Sequence, residues 1–179
     1  LELIAGRLMG TGVELMRRLE EYPFMAMWVM AVRAEAQGTV KADFRGKPAV
    51  SYTMTKRDME RLRKGAHLVA QMHRAAGAKA LVPAVYGMPY KMDIDDVDKM
   101  LEAPLDPRAW VALMSHLFGG CVMGSDPSRS VCDGQGAVHG TQGLYLADAS
   151  AIPTTIGVNP QHTIMALARL RAHQLLEAA

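Results

Sequence analysis

Residues able to perform chemistry are concentrated in one stretch of this 179-residue chain, between positions 116 and 163. Histidine, cysteine, aspartate and asparagine occur there among closely spaced glycines, whereas the rest of the chain is rich in Leu, Met and Ala. Glycine is tolerated where the backbone adopts unusual dihedral angles or approaches another group closely. We therefore interpret this stretch as the candidate site and the sequence before it as the scaffold that positions it.

Two kinds of site fit these residue types. The first is a Cys2His2 zinc site, whose donor atoms would come from His116, Cys121, Cys132 and His139. This set lacks the short Cys-x-x-Cys spacing that usually begins such a site. The second is organic: His116 accepts a proton and Asn159 hydrogen-bonds the same substrate oxygen, both beside a redox cofactor. Imidazole suits this task because its pKa of about 6.5 lies close to working pH. We favour the second interpretation and predict no metal site.

An acidic cluster upstream of the site raises the question of calcium binding. Four aspartates lie close together there: Asp93, Asp95, Asp96 and Asp98. A helix-loop-helix calcium site also needs a central glycine and a terminal glutamate, which this loop lacks. We interpret the segment as a solvated acidic loop or lid.

The composition indicates a globular protein and excludes some functions. A net charge of +2 without a long Lys/Arg run provides no basic stripe for nucleic acid. Two cysteines do not make a disulfide framework, so the cytoplasm is the default expectation. The most apolar run, residues 24–32, is too short to span a bilayer. The chain begins with Leu1 and not Met, so a targeting signal further upstream would not be visible in it.

The sequence before the site predicts a helix, a three-stranded antiparallel meander and a second helix. Apolar spacing favours a helix over residues 13–20, after a break at the glycines of residues 10–12. Alternation and intervening turns favour three strands, over residues 26–35, 39–44 and 49–53. The second helix is predicted to begin after Thr55, a good N-cap residue, and to end at Gly77.

The remaining elements lead into and out of the candidate stretch. Residues 105–114 suggest a short helix or turn that carries Trp110 and Leu113 into the core. Residues 143–147 form a compact apolar run, predicted to be a buried strand that ends at Asp148. Apolar periodicity predicts a final helix over residues 163–178. The overall prediction is an α+β fold, an antiparallel sheet with packed helices followed by a C-terminal strand and helix.

The start of the final helix is a suitable place for a cofactor. Asn159 and Pro160 precede it, and proline is tolerated there because the first N–H groups of a helix have no intrahelical acceptor. Those exposed N–H groups favour electron-rich ligand atoms.

The candidate stretch contains a series of short motifs: His116-x-x-Gly119-x-Cys121-x-Met123-Gly124, Asp126-Pro127, Ser130-Val131-Cys132-Asp133, Val138-His139-Gly140, Gly143-Leu-Tyr-Leu-Ala-Asp148-Ala-Ser150-x-x-Pro153 and Gly157-Val-Asn159-Pro160-x-x-Thr163-Ile164. Together they resemble the C-terminal signature of the glucose–methanol–choline (GMC) flavin oxidoreductases. The Gly-Gly-Cys and Gly-Val-Asn-Pro forms lean toward the branch that contains cholesterol oxidases and long-chain alcohol oxidases.

The resemblance implies a role for each matching residue. His116 matches the catalytic histidine, expected to take the proton of a substrate C–OH group as hydride passes to the flavin of FAD. Asn159 matches the second residue of that pair, which is His or Asn across the family. Asp148 and Ala149 match positions near the FAD ribityl–pyrophosphate region. Asn159, Pro160 and Gln161 match the segment along the isoalloxazine ring.

The resemblance also implies a division into domains. Residues 1–142 are expected to belong to a substrate-binding domain that carries the catalytic His loop, and residues 143–179 to an FAD-binding domain. The G-x-G-x-x-G unit that would hold the ADP half of FAD is absent from this sequence. We therefore expect the C-terminal portion of a longer enzyme, which alone neither retains FAD nor oxidises an alcohol. The alternative is a non-catalytic subunit whose partner supplies the missing half.

Overall fold

The structure, a computed structural model, describes residues 6–113 and 116–177, which form helices and two small two-stranded sheets. The α+β prediction is confirmed at this level. By their internal contacts the residues divide into two compact units, the first comprising Leu1–Asp43 and Ala49–Ala112, the second Phe44–Pro48 and Leu113–Ala179. The ends of two predicted elements, at residues 114 and 178, lie outside the described residues. No helix within 6–113 or 116–177 has both the length and the apolar character needed to cross a membrane.

The first helix, α1 (Gly12–Glu20), begins where the glycine-rich break was predicted. Gly10 and Gly12 both have positive φ, of 118° and 56°, which L-residues with a side chain adopt only with strain. A 3-10 turn over Tyr22–Phe24 follows, with its proline in the first turn, and ends the helical run. Both boundaries of this predicted helix are confirmed.

Two of the three predicted strands form. Thr39–Ala42 (β1) and Pro48–Ser51 (β2) are hydrogen-bonded to each other in a two-stranded sheet. The connecting turn contains Gly46 at a φ of +73°. Every residue of both strands is exposed, so the pair contributes no buried core.

The second helix, α2 (Lys56–Ala75), has the N-terminus that the sequence predicts. The Thr55 hydroxyl accepts the Asp58 backbone N–H at 3.1 Å, and the Asp58 carboxylate accepts the Thr55 backbone N–H at 3.0 Å. This reciprocal capping box satisfies two of the orphan donors at the helix start. At the other end the chain turns at Gly77, whose φ is +86°.

The remaining predicted strand, over residues 26–35, does not form, and the described residues 26–38 contain no strand. The backbone N–H groups of Glu35 and Ala36 instead donate to the Asp58 carboxylate, at 2.7 and 3.0 Å. The sequence alternates as a strand would, but these two N–H groups donate to a side chain of α2 and not to a neighbouring strand. The three-stranded meander is therefore reduced to the β1–β2 pair.

The core of the first unit lies between α2 and the segment that follows it. Ala80–Leu81 (β3) and Met92–Asp93 (β4) pair antiparallel, and a 3-10 helix spans Ile94–Glu102. The buried cluster consists of Ala70, Met92, Val97 and Met100. The prediction of an acidic loop at 93–98 was wrong, because most of this segment is helical. One side of the helix is buried in the core through Val97 and Met100. Most of its carboxylates remain at the surface.

The segment before the site contains a 3-10 turn over Pro107–Ala109. Trp110 packs against the core as predicted, and its indole N–H donates to the Pro104 carbonyl at 2.7 Å. Leu113, however, is 72 % exposed, contrary to prediction. The predicted short helix or turn would have carried both residues into the core, but residues 111–113 form neither.

The second unit is built from turns and one long helix. The final helix, α3 (Gln161–Glu177), is confirmed within one turn of its predicted start. The predicted buried strand over residues 143–147 does not form; Tyr145 makes a single bridge to Ala137, and Leu144 and Tyr145 are both exposed. The Leu144 carbonyl and the Leu146 N–H bond to residues 136–138, but these bonds do not extend into a ladder, and most of the run is exposed.

Candidate functional site

The candidate site is a cavity of about 340 Å³ beside the start of α3. Its lining residues are His116, Asn159, Pro160, Gln161, Ile164 and Met165. Four of these six were predicted as site residues from the sequence. The structure therefore brings together the predicted base, the predicted second member of the pair, and the two residues that follow it.

The start of α3 provides the polar edge of this cavity. The Ile164 N–H donates to the Pro160 carbonyl at 2.9 Å, which is the first hydrogen bond of the helix. The N–H groups of the preceding helical residues have no intrahelical acceptor, and the helix dipole places partial positive charge there. Pro160 is buried while Asn159 and Gln161 are exposed, so the proline anchors the turn and its neighbours remain available to a ligand.

The cavity combines a proton acceptor, an amide and apolar surface. A ring nitrogen of the His116 imidazole can accept a hydrogen bond. The Asn159 side chain can donate and accept hydrogen bonds at once. Ile164 and Met165 were missed as site residues; the available signal was their helical spacing from Pro160, which places them within a turn or so of the helix start.

The segment that carries His116 is held by a turn that follows Asp148. The Cys121 N–H donates to the Ser150 carbonyl at 3.0 Å, and the Met123 N–H donates to the Ala151 carbonyl at 2.9 Å. On its other edge, the Val122 carbonyl accepts the Val131 N–H at 2.8 Å. The segment is thus bonded on both sides, although it forms no regular strand.

Two predicted cofactor residues, Asp148 and Ala149, are not among those that line the cavity. Asp148 is the N-cap of a 3-10 turn over Ala149–Ala151, and its carboxylate accepts the Ser150 backbone N–H at 2.7 Å. The Ser150 hydroxyl and backbone N–H, both bonded to this carboxylate, hold the pKa of the Asp148 carboxyl below its ordinary value. Asp148 is therefore charged at neutral pH and engaged with its own turn.

The zinc donors considered above have other partners. His139 Nε2 lies 3.0 Å from Ser130 Oγ and 3.1 Å from the Gly124 carbonyl. Since that carbonyl can only accept, Nε2 carries the proton and donates. Cys132 is fully buried, and burial raises the pKa of its thiol, which disfavours the thiolate that zinc binds. Among the described residues no group of three or more His, Cys, Asp or Glu side chains is arranged to hold a metal ion.

The aspartates considered for calcium likewise make local contacts. The Asp93 carboxylate accepts the Asp95 backbone N–H at 2.9 Å and so caps the 3-10 helix. Asp96 pairs with Lys99 at 2.8 Å, and Asp98 lies 2.7 Å from the imidazole of His67. These contacts stabilise the ends and the exposed side of the 3-10 helix.

Comparison with known proteins identifies relatives across most of the chain. A protein of Sinorhizobium fredii described as an uncharacterized GMC-type oxidoreductase is 37 % identical over 122 residues, covering 68 % of this chain and 24 % of its own length. A long-chain-alcohol oxidase of Arabidopsis thaliana is 31 % identical over 93 % of this chain and 23 % of its own. A cholesterol oxidase of Acinetobacter baumannii is 45 % identical over 58 residues, covering 32 % of this chain and 10 % of its own.

The chain spans about a quarter of the length of the first of these relatives. The family model described as GMC oxidoreductase matches residues 34–168, which include the whole cavity lining. Since the match extends over most of the sequence and contains both His116 and Asn159, the chain belongs to the GMC oxidoreductase family.

Proposed function

We propose that this chain is the C-terminal portion of an FAD-dependent oxidoreductase that oxidises the CH–OH group of an alcohol, with His116 as the base. The observation that carries the proposal is the common cavity of His116 and Asn159 at the start of α3. An acceptor for the hydroxyl proton and a hydrogen-bonding group for the hydroxyl oxygen are the two groups that this oxidation needs from the protein.

The donor set of the cavity fits a flavin. A flavin has an electron-rich polar edge and a flat ring, which suit the N–H groups at a helix start and an apolar wall respectively. Asn159, Pro160 and Gln161 would hold the ring, with Ile164 beside them in the lining. On the resemblance to the family, the turn after Asp148 would approach the ribityl–pyrophosphate part.

The roles of this chain's residues follow from their chemistry. When bound, FAD supplies the acceptor for the hydride that leaves the substrate carbon. A ring nitrogen of His116 accepts the hydroxyl proton, which requires the neutral imidazole. The Asn159 amide donates to the same oxygen and stabilises the negative charge that develops as the proton leaves.

The substrate and domain assignments are part of this proposal. The names of two relatives, a long-chain-alcohol oxidase and a cholesterol oxidase, support an alcohol with a large apolar portion. Residues 1–142 would belong to the substrate-binding domain and residues 143–179 to the FAD-binding domain. The dinucleotide-binding half of the enzyme would lie outside this sequence.

A second candidate is a non-catalytic subunit that pairs with a partner chain supplying that half. One observation favours it: α3 presents large apolar side chains to solvent, namely Met165, Leu170, Leu175 and Leu176. In this arrangement the site would be completed in trans.

The test is the intact mass and absorption spectrum of the protein produced from its native gene. We expect a chain several times longer than 179 residues, with flavin absorption and alcohol-dependent reduction of a dye. A colourless native product of 19.5 kDa would instead favour the subunit. The 179-residue chain alone is expected to be colourless and inactive, and a flavin-bound, active preparation of it would contradict the proposal.

The base is tested in the full-length enzyme with His116→Ala. We expect kcat to fall about 10² to 10⁴-fold with flavin content unchanged. His173→Ala is the matched control, because His173 is exposed on α3 and is not part of the cavity lining. Retention of wild-type kcat by His116→Ala would overturn the assignment of the base.

A further inference from the structure

We propose that Asp148 is a positioning residue, which sets the location of His116 relative to Asn159 through the turn at Ala149–Ala151. This inference rests on the proposed function, since it takes His116 as the base. It assigns Asp148 a task within the protein, separate from contact with a cofactor.

The first step is that Asp148 holds the turn together. Its carboxylate accepts the Ser150 N–H at 2.7 Å, and its carbonyl accepts the Ala151 N–H at 3.3 Å. The Ile152 N–H closes the next bond, to the Ala149 carbonyl at 3.1 Å. Ala151 and Ile152 are both buried, so the turn is anchored on one side and capped by Asp148 on the other.

The second step is that the carbonyl groups of this turn bind the segment that carries His116. Ser150 and Ala151 accept the N–H groups of Cys121 and Met123, at 3.0 and 2.9 Å. The dihedral angles of the turn set the direction of each of these carbonyl groups. Loss of the cap would therefore misalign both acceptors, leaving this segment bonded mainly on its other edge.

The third step is that the two segments that carry the site residues approach each other at Gly119 and Pro153, which we call the crossing. His116 lies three residues before Gly119, and Asn159 lies six residues after Pro153. At Gly119, where φ is +76°, an added Cβ would lie 3.2 Å from the Pro153 carbonyl oxygen. The two segments thus pass in close contact just before they reach the cavity, and a displacement here moves His116 relative to Asn159.

Capping by itself is common in this unit, which provides a matched control. The Asp126 carboxylate accepts the Ser128 N–H at 2.9 Å in a similar local turn. Ser128 is exposed, and its N–H and hydroxyl both donate to Asp126, away from the Cys121–Met123 segment. If the position of the capped turn in the fold matters, Asp148→Ala should lower kcat and Asp126→Ala should not.

The experiment compares Asp148→Ala, Asp148→Asn and Asp126→Ala in the full-length holoenzyme at saturating FAD. For Asp148→Ala we expect faster hydrogen exchange at the Cys121 and Met123 amides and a fall in kcat of about a hundredfold, as for a misplaced catalytic group. Flavin content should be unchanged. Asp148→Asn should recover most of kcat, because its amide oxygen still accepts the Ser150 N–H. Asp126→Ala should match wild type.

Two results would overturn the inference. One is unchanged amide exchange and unchanged kcat in Asp148→Ala, in an enzyme that His116→Ala inactivates. The other is loss of flavin from purified Asp148→Ala and Asp148→Asn alike, with wild-type kcat at saturating FAD, which would mean direct cofactor contact. If His116→Ala is itself active, the proposed function fails, whatever Asp148 does.

A second variant covers the case in which Asp148→Ala does not fold. Gly119→Ala disturbs the same crossing from the other side and leaves the Asp148 cap intact. It should show the same combination of faster Cys121 exchange, reduced kcat and unchanged flavin content. Wild-type kcat and wild-type Cys121 exchange in Gly119→Ala would contradict a role for this crossing.

Discussion

His116 and Asn159 line one cavity, although the first lies on a loop ahead of Gly119 and the second precedes α3. Neither residue lies within a helix or strand, so their relative position depends on contacts between loops. Two groups that act on one substrate oxygen should also be coupled in energy.

Replacing Asn159 tests this coupling in the full-length enzyme. Asn159→Ala should lower kcat about 10- to 100-fold, because the oxygen loses a hydrogen-bond donor as charge develops. The double variant with His116→Ala should lose less than the product of the two single losses. Asn159→His should retain more activity than Asn159→Ala. Gln135→Ala, which removes an exposed amide elsewhere in the unit, is the control.

Met165 should contribute to selection of apolar substrates. Its side chain lines the cavity and is 60 % exposed in this chain. Met165→Gln should lower kcat/KM about tenfold for long-chain alcohols and much less for short ones, since only the former reach an apolar wall. Met165→Leu, which conserves volume and polarity, should remain near wild type. Equal losses for both chain lengths would contradict this role.

Asp58 should be a major determinant of stability in the first unit. Its side chain is fully buried and accepts the N–H groups of Thr55, Glu35 and Ala36. Asp58→Ala leaves these donors without an acceptor and removes the helix cap, so we expect a loss of about 3 kcal/mol or more in the free energy of unfolding. Asp95→Ala, on the exposed side of the 3-10 helix, should cost much less.

Asp58 should also make stability depend on acidic pH. Burial alone raises the pKa of this carboxyl, but the hydrogen bonds from Glu35, Thr55 and Ala36 outweigh it and lower the pKa below its ordinary value of 3.8. Its stabilisation is therefore fully present above that value and is lost as pH falls through the lower, folded-state pKa. Unfolding of wild type and Asp58→Asn should be compared between pH 7 and pH 3. Parallel curves would contradict the prediction.

Two glycines with similar backbones should respond differently to alanine. Gly136 and Gly140 have φ of +84° and +72°, but an added Cβ at Gly136 would lie 2.6 Å from the Leu146 carbonyl oxygen and 3.0 Å from Arg171 Nε. At Gly140 it would meet open space. Gly140→Ala should cost about 1 kcal/mol from backbone strain alone, whereas Gly136→Ala should cost clearly more. Thermal unfolding of the two variants measures the difference, and equal costs would contradict it.

Local sequence was sufficient where the stabilising groups lie close together along the chain. The capping box of α2 joins Thr55 to a residue three positions away. The helix ends next to Gly77, which adopts a positive φ that few other residues tolerate. The final helix follows from apolar periodicity after Pro160. The motifs around His116 and Asn159 likewise identified four of the six residues that line the candidate site.

Tertiary structure decided the features that depend on distant partners. Residues 26–35 have the pattern of a strand, yet Glu35 and Ala36 donate to Asp58, more than twenty positions further along the chain. Residues 143–147 have the composition of a buried strand, but their backbone bonds to residues 136–138 stop at a single bridge and leave most of the run exposed. Alternation shows that a segment can pair, and the fold determines what it pairs with.

The same division applies to the candidate site. Residue types alone indicated an imidazole, an amide and a helix start, because these are properties of single residues and short motifs. That His116 and Asn159 share a cavity with Ile164 and Met165, and that the turn after Asp148 holds the His116 segment, follows only from the folded chain. Hydrogen bonds between loops depend on the path of the backbone through space, which no local pattern of side chains specifies.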